Sequence, residues 1–172
     1  MNGFFLRNLP DRECLDEMAQ RYPEMDADAS EVYLHFMRLG SEVGSRVADY
    51  LSKHDLSTGR MSILMMLNSC PEEQRNPGEL AERCGVTPAT VTRLIDNLIK
   101  DGHIERIVDP DNRRVSPVRL TARGKAFLEG LLPGYFSEIA QDFGPLSASE
   151  RKTFLSLLLK LENHLNDKNA SK

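Results

Sequence analysis

The sequence predicts a mainly α-helical (α+β) fold in which two short helices and a β-hairpin lie between longer helices at both ends of the chain. Three observations support this fold class. A capping residue followed by proline occurs twice, at Asn76-Pro77 and at Thr87-Pro88, which is typical of two successive helix starts. The turn sequence DPDN at 109–112 separates two stretches rich in β-branched and apolar residues. Apolar residues recur at helical spacing near both termini.

The N-terminal part of the sequence predicts three helices. Residues 11–22 have the spacing of a short amphipathic arm, which Pro23 ends. A longer helix is predicted over 30–53, with Ser30 as its N-cap and an apolar stripe long enough to require a partner helix. A third helix is predicted over 57–69, where five consecutive apolar residues indicate burial on most sides.

The centre of the sequence predicts a helix-turn-helix. After a polar loop at 70–75, one helix is predicted over 76–84 and a second over 87–101. Ala81 is small and lets the two helices approach closely, and Gly85 takes the positive φ of the turn between them. Val91 and Leu94 are apolar and pack the second helix onto the first.

A β-hairpin is predicted directly after this helix pair, with strands at 103–108 and 115–120. Pro117 has no backbone N–H to donate, which favours a small edge-type hairpin over a central sheet position.

Two further helices are predicted after the hairpin. Thr121 is the expected cap of a helix that runs to about Phe143, and Pro133-Gly134 is expected to bend or interrupt it. Ser147 and Glu150 have the spacing of a capping box before a last, leucine-rich helix. Frayed chain is expected over 167–172.

The charge of the chain is unevenly distributed. Its 172 residues include 22 basic and 26 acidic side chains, and the net charge of −4 taken alone argues against a nucleic-acid partner. Residues 87–125, however, hold eight basic and five acidic residues, a balance of +3, whereas the rest of the chain carries −7. We therefore expect an anionic partner to contact this central segment.

Several classes of function are excluded by missing patterns. No apolar run approaches the ~18 residues of a membrane span, so a cytoplasmic protein without a membrane partner is expected. The three cysteines include no C-x-x-C pair, and the four histidines lack the spacing of a zinc site, so we expect reduced thiols and no metal. Nucleophile, P-loop and dinucleotide motifs are absent from the sequence, and we therefore predict no enzyme activity and no cofactor.

The outward face of the second short helix has the chemistry of a DNA-reading surface. Threonine hydroxyls and free helix N-terminal amides suit phosphate oxygens, methyl groups suit thymine, and an arginine or asparagine can read base edges. Asp96 is repelled by phosphates and is expected to orient a neighbouring arginine. Two arginines beside the hairpin turn can enter a minor groove, although a solvated basic turn would have the same sequence. The face comprises Pro88, Ala89, Thr90, Thr92, Arg93 and Asn97, and the turn arginines are Arg113 and Arg114.

The central sequence resembles that of the MarR-type (multiple antibiotic resistance regulator) transcription regulators. The resemblance is carried by GELAERCGVTPATVTRLIDNLIKDGHIERIVDPDNRRVSPVRLTARGKAFLEGLLP, and above all by its segments DPDNRR and LTARGKAFL. In detail it covers about 56–133, while the flanking helices are similar in pattern only. The resemblance implies a winged helix-turn-helix fold with N- and C-terminal dimerisation helices, the hairpin being the wing.

The resemblance also implies a homodimer that binds double-stranded DNA, usually as a repressor. We expect an N-terminal arm and dimerisation helix at 1–55, a DNA-binding domain at 56–122 and C-terminal dimerisation helices at 123–172. A two-fold dimer would read a pseudo-palindromic operator with half-sites about 10 bp apart. By the same resemblance the major-groove residues are Thr87, Pro88, Ala89, Thr90, Thr92 and Arg93, the wing contacts are Arg113 and Arg114, and Asp111 steadies the wing.

The sequence leaves two ways of controlling DNA binding open. The resemblance implies a small aromatic, phenolic or lipophilic effector, or cysteine oxidation. Met61 and Ser62 replace the tryptophan and aspartate that mark the urate-responsive branch, which argues against urate. Cys14 is the candidate redox residue, while Cys84 is expected to be a small buried hydrophobe. Aromatic and methionine residues at helical spacing can line a ligand pocket, although the same spacing is typical of a protein core. The candidate pocket residues are His35, Phe36, Leu39, Ile63 and Met66.

Two alternatives to a ligand-controlled DNA-binding protein remain open at this point. One is a winged-helix module that binds another protein, which the acidic flanks favour. Arg93, Arg113 and Arg114 argue against it, because protein-binding surfaces favour aromatic or aliphatic anchors. The other is a thiol-based redox regulator that uses Cys14.

Overall fold

The computed structural model describes residues 8–69, 74–107 and 116–170. The chain divides into two compact units, Met1–Leu128 and Glu129–Lys172, which are described separately. No helix in the described residues is long and apolar enough to cross a membrane. The elements in chain order are α1 Arg12–Arg21, α2 Ala27–Ser52, α3 Thr58–Asn68, α4 Pro77–Cys84, α5 Pro88–Lys100, β1 Ile104–Arg106, β2 Val118–Leu120, α6 Ala122–Asp142 and α7 Ala148–Ala170.

The N-terminal arm is a helix that packs against α2, as its amphipathic pattern predicts. Asp11 caps α1, and the buried side chain of Leu15 is its apolar anchor. The guanidinium of Arg12 binds the carboxylates of Asp28 and Glu31 on α2, and these hydrogen bonds raise the pKa of Arg12 above its ordinary value. The pairs are solvent-exposed, so most of the stability of this contact comes from apolar burial.

The predicted N-cap of α2 is wrong by one turn. The helix begins at Ala27, and the side chain of Asp26 accepts a hydrogen bond from the Ala29 amide at 2.9 Å. Ser30 lies inside the first turn, where its hydroxyl donates to the carbonyl of Asp26 at 2.7 Å. Both residues are good caps, but a carboxylate at the helix start also interacts favourably with the helix dipole.

The core of the first unit lies between α3, α4, α5 and the strands. Every third or fourth residue of α5 is buried on its inner side, and α3 is buried on most sides, as its apolar run predicts. The side chains with at most 1% of their surface exposed include Leu51, Ile63, Leu64, Leu67, Leu80, Val91, Ile95, Leu98, Ile104, Val118 and Leu128.

The turn between α4 and α5 has the predicted geometry. Gly85 has a φ of +62°, and the amide of Val86 donates back to the carbonyl of Ala81 at 3.1 Å. This left-handed conformation strains any residue with a Cβ, which explains the glycine. Asn76 holds the N-cap position of α4, although its side chain makes no capping hydrogen bond. Thr87 caps α5 as predicted.

The two strands of the sheet are shorter than the sequence predicts, and one residue outside them adds an unpredicted bridge. Strands β1 and β2 are antiparallel, with Ile104 opposite Leu120, and each has three residues. Arg75 adds a further bridge, since its amide and carbonyl pair with those of Val118 at 3.0 and 2.9 Å. The prediction of a plain polar loop up to Arg75 is therefore wrong at its last residue. The predicted turn at 109–112 lies outside the described residues.

The two C-terminal helices test three predictions. Helix α6 continues through Pro133, so an interruption there is excluded, because a proline removes one backbone hydrogen bond and the other turns retain theirs; a bend at Pro133 stays a prediction. The capping box of α7 is present: the amide of Ser147 donates to Glu150 at 2.7 Å, and the amide of Glu150 donates to the Ser147 hydroxyl at 3.3 Å. These bonds lower the pKa of Glu150. Helix α7 extends to Ala170, where frayed chain was expected.

Candidate nucleic-acid interface

Helix α5 has one buried and one exposed face. Val91, Ile95 and Leu98 are completely buried and fix the helix to the core. The opposite side is open to solvent, and Thr90, at the edge, is half-buried. Because the helix is held from behind, its outer side chains form a rigid surface. The residues of the sequence-predicted face that are exposed are Pro88, Ala89, Thr92, Arg93, Asp96 and Asn97, and Thr87, expected from the family resemblance, is exposed as well.

The N-terminus of α5 leaves one backbone amide for a ligand. The hydroxyl oxygen of Thr87 accepts from the Thr90 amide at 3.3 Å and lies 2.9 Å from the Thr90 hydroxyl. Pro88 has no N–H, so Ala89 carries the first-turn amide that has no acceptor within the helix. This amide, together with the positive end of the helix dipole, suits a phosphate oxygen.

The side chain of Thr92 is already committed to one hydrogen bond. Its hydroxyl donates to the Pro88 carbonyl at 2.9 Å, so its only proton is used inside the helix. The exposed part of Thr92 is therefore an acceptor oxygen and a methyl group. In this conformation it suits a base amino group or a thymine methyl better than a phosphate.

Arg93 and Asn97 are the free hydrogen-bonding side chains in the middle of the face. They are exposed, are spaced one turn apart, and make no side-chain hydrogen bond or ion pair with any other residue that the structure describes. A free guanidinium and a free amide beside each other have the donors and acceptors that base edges require.

Asp96 is paired with Arg106, which confirms the prediction that its carboxylate orients an arginine. The distance between the Arg106 guanidinium and the Asp96 carboxylate is 2.8 Å. Arg106 lies at the end of β1, so this ion pair joins the exposed face of α5 to the first strand of the hairpin. Arg106 was not predicted as the partner of Asp96, although its position in the strand directly after α5 was a signal in the sequence.

Other basic side chains near this face are neutralised. Arg119 pairs with Glu105 across the two strands at 2.7 Å. Glu79 on α4 binds both Arg75 at 2.9 Å and Arg83 at 3.5 Å. Within the positive segment 87–125, Arg106 and Arg119 are therefore neutralised inside the fold, whereas Arg93 keeps its charge available for a ligand.

Other predicted site residues are placed as follows. Asp111, Arg113 and Arg114 lie outside the described residues, as does Cys70. Cys14 is exposed in the first turn of α1. Cys84 is partly buried, with its sulfur 3.9 Å from that of Met66, and burial raises the pKa of its thiol. Its role as a small buried hydrophobe is therefore supported by its surroundings.

The predicted ligand pocket is not assembled as one enclosed group. His35, Phe36 and Leu39 are exposed on α2, whereas Ile63 is completely buried in α3. Met66, the fifth predicted pocket residue, is half-buried on α3. A ligand site formed by these five residues stays a prediction. As for metals, the described residues include no group of three or more histidine, cysteine, aspartate or glutamate side chains that could hold an ion.

Comparison with known proteins identifies the family. The sequence profile described as MarR family matches residues 54–115. The HTH-type transcriptional repressor YetL of Bacillus subtilis is 34% identical over 89% of this chain and 92% of its own length. The chain belongs to the MarR family. It is therefore a DNA-binding transcription regulator and not an enzyme.

Solved structures of the MarR family share the fold of this chain. Mutant MarR from Escherichia coli in complex with operator DNA matches with a TM-score of 0.66 and 23% identity, covering 78% of this chain and 95% of that one. A MarR family protein of Mycobacterium tuberculosis in complex with salicylic acid matches with a TM-score of 0.57 and 26% identity, covering 74% and 93%. The winged helix-turn-helix architecture predicted from the sequence is thereby confirmed.

Proposed function

We propose that this MarR-family chain is a repressor that binds a pseudo-palindromic operator as a homodimer, with α5 in the major groove. The observation that carries the proposal is the outer face of α5, where Arg93 and Asn97 are free beside an N-terminal amide at Ala89. The operator complex of the E. coli protein and the repressor function in the name of YetL support it. We also propose a cytoplasmic location, which a regulator that binds operator DNA would require.

The parts of the α5 face would have different tasks. The Ala89 amide and the Thr87 hydroxyl would contact phosphate and set the register, which carries no sequence information. Arg93 and Asn97 would read base edges, and Thr92 would offer its methyl to thymine. The wing arginines Arg113 and Arg114, steadied by Asp111, would enter the flanking minor grooves, where the potential is most negative. That part of the proposal rests on the sequence resemblance.

The homodimer is supported by apolar side chains that the single chain leaves exposed. On α7 they include Leu157, which is 56% exposed, and on α2 they include Phe36, which is 48% exposed. Monomeric proteins rarely expose so many large apolar residues on long helices. We assign dimerisation to residues 1–55 and 123–172 and DNA binding to 56–122. The exposed set is Val32, Tyr33, Phe36 and Leu39 on α2, Phe136 on α6, and Leu155, Leu157, Leu159, Leu161 and Leu165 on α7.

Control by a small molecule completes the proposal. The salicylic acid complex of the M. tuberculosis family member supports an aromatic or lipophilic effector that releases the repressor from DNA. Such release requires that the ligand binds more tightly to the DNA-free conformation than to the DNA-bound one.

The proposal is tested by selecting DNA from a random pool. The purified reduced protein is incubated with randomised ~30 bp duplexes at about 0.15 M salt, and the retained DNA is sequenced. We expect enrichment of a two-fold symmetric site with half-sites about 10 bp apart. Light scattering of the complex should give two chains per duplex. Failure to enrich any sequence would favour the protein-interaction alternative over a sequence-specific regulator.

A further inference from the structure

The C-terminal end of α5 is held by a charged residue of α3. The guanidinium of Arg60, in the first turn of α3, donates to the carboxylate of Asp101 at 2.7 Å and also to the backbone carbonyl of Asp55. The side chains of Arg60 and Asp101 are 21% and 40% exposed, so their ion pair is partly buried. One guanidinium therefore joins the turn between α2 and α3, the start of α3 and the end of α5.

The position of Asp101 is electrostatically unfavourable without this partner. Asp101 is the C-cap of α5, where carbonyls without an intrahelical donor make the helix end negative. Lys100 in the last turn supplies the charge that suits such an end, and the carboxylate of Asp101 opposes it. The helix dipole therefore does not explain this aspartate, whereas its ion pair with Arg60 does.

Apolar packing gives way to a cavity at this end of α5. Leu98 is the last residue of the helix that is completely buried. Beyond it lies a cavity of about 820 Å³ between the turn before α3, the first turn of α3, the turn after α5 and the first turns of α6. Most of the lining residues are charged or polar, and they include both members of the ion pair. The position of the helix end therefore depends on polar contacts.

A second contact with α3 lies two turns earlier on α5. The backbone at Gly59 is so close to Leu94 that a Cβ added there would lie 3.2 Å from the Cδ1 atom of the leucine. Leu94 and Asp101 are about 10 Å apart along the helix axis, at 1.5 Å per residue. Two contacts at this separation fix the direction of the α5 axis relative to α3.

We propose that Arg60 and Asp101 are positioning residues for operator recognition, because their ion pair fixes the direction of α5 and thereby determines how well the protein discriminates between DNA sequences. The inference rests on the proposed function, in which α5 reads the major groove. Without the pair, α5 can tilt about its contact with Gly59. A tilt of about 8° moves the Ala89 amide, about 7.5 Å from Leu94 along the axis, by about 1 Å.

A displacement of this size affects specific binding more than non-specific binding. Hydrogen bonds to base edges weaken steeply with distance and angle, so they require the correct register of the helix in the groove. Flexible basic side chains can follow a phosphate oxygen over the same distance, and these contacts carry no sequence information. Loss of the ion pair should therefore reduce sequence discrimination and leave the sequence-independent affinity nearly unchanged.

The positioning of α5 is tested without DNA. Amide hydrogen exchange of the full-length protein, followed by NMR, reports how firmly each turn of α5 is held. We expect exchange at Ile99 and Lys100, in the last turn, to become about tenfold faster in Arg60→Gln and in Asp101→Ala. Exchange at Val91, in the buried first half of the helix, should change by less than about twofold. Wild-type exchange in both variants would overturn the proposal, because the pair would then not hold the helix end.

The effect on recognition is measured as a ratio of two affinities. Fluorescence anisotropy gives the affinities for a selected operator and for a duplex of scrambled sequence at equal salt. In Arg60→Gln and Asp101→Ala we expect the ratio to fall by about tenfold, with the affinity for the scrambled duplex changed by less than about twofold and its salt slope retained. The double variant should be no worse than either single one, since both changes remove one interaction.

Two further variants separate this role from a general loss of stability. Arg60→Lys keeps the charge opposite Asp101 and should recover most of the lost discrimination. Arg38→Gln removes an ion pair with Glu42 on α2 and should retain the wild-type ratio. If Arg60→Gln does not fold, Asp101→Ala serves as the same test, because it removes a carboxylate that the helix dipole disfavours.

The outcomes distinguish this proposal from the proposed function. An unchanged affinity ratio, or equal losses for operator and scrambled DNA, would overturn the positioning role. Loss of the fold in both single variants, seen in their amide spectra, would also overturn it and assign the pair to stability alone. If the wild type selects no operator, the proposed function is contradicted, whereas unchanged hydrogen exchange contradicts only the positioning of α5 by this pair.

Discussion

The carboxylate of Asp96 on α5 and the guanidinium of Arg106 on β1 form an ion pair at 2.8 Å. Both side chains are substantially exposed, at 59% and 37%, so the pair contributes at most about 1 kcal/mol to the free energy of unfolding. Its main consequence is electrostatic. It neutralises the one acidic side chain on the proposed DNA-reading face and holds the hairpin strand against the end of that face.

The first prediction follows from this pair. Arg106→Ala should weaken operator binding by about threefold to tenfold, because an uncompensated carboxylate then faces the phosphates. The double variant Arg106→Ala with Asp96→Asn should recover most of the loss, since it removes the repulsive charge as well. Fluorescence anisotropy with a selected operator measures both. If the double variant binds no better than the single one, Arg106 itself contacts DNA and the positioning role is wrong.

The second prediction concerns the close contact between α6 and the turn after α5. A Cβ at Gly124 would overlap the carbonyl oxygen of His103, which is backbone and has little room to move. Gly124→Ala should therefore lower the free energy of unfolding by more than about 2 kcal/mol, measured by urea titration. Gly130→Ala, where nothing lies within 4 Å of the added Cβ, is the matched control in the same helix and should stabilise slightly. Equal effects at the two positions would disprove the contact.

The local features of this fold were predictable from the sequence, because each depends on neighbouring residues. The proline starts of α4 and α5 and the left-handed Gly85 are signals within a few residues. The exposed residues of α5 followed from helical spacing alone. Their roles in DNA recognition remain a proposal.

What the sequence could not predict depends on tertiary contacts. The bridge of Arg75 to Val118 joins residues far apart in the chain, and nothing in a polar loop indicates a strand partner. The cavity at the end of α5 is built from four separate segments, so no spacing pattern could indicate it. The N-cap of α2 was mispredicted because two good capping residues, Asp26 and Ser30, lie one turn apart.

The third prediction is a pH dependence of stability due to His103. Its pKa is below the ordinary value in the folded protein, chiefly because of burial, so the unfolded chain binds more protons once the pH falls below about 6.5. The free energy of unfolding should therefore decrease as the pH falls from about 7 to about 5. Urea titrations of His103→Asn should have a smaller pH slope than the wild type, with His164→Asn on the exposed α7 as the control. An unchanged slope in His103→Asn would assign the dependence to other groups.

The fourth prediction concerns the wing. Replacing both Arg113 and Arg114 with alanine should weaken binding to all DNA sequences and reduce the salt slope of binding by up to about 2, because two phosphate-proximal charges are lost. Affinities measured at several salt concentrations give the slope. Arg38→Ala with Arg21→Ala, which removes two charges outside the DNA-binding segment, should leave it unchanged. A wild-type slope in the wing variant would exclude these arginines from the interface.

Reading of base edges by α5 in the major groove is best tested at Arg93. Selection from the randomised duplex pool is repeated with Arg93→Ala and with Arg38→Ala as the control. In Arg93→Ala we expect the preference for one base pair in each half-site to be lost and the rest of the symmetric site to be retained, whereas the control should be identical to the wild type. An unchanged consensus with a uniform loss of affinity would contradict it, because Arg93 would then contact only phosphate.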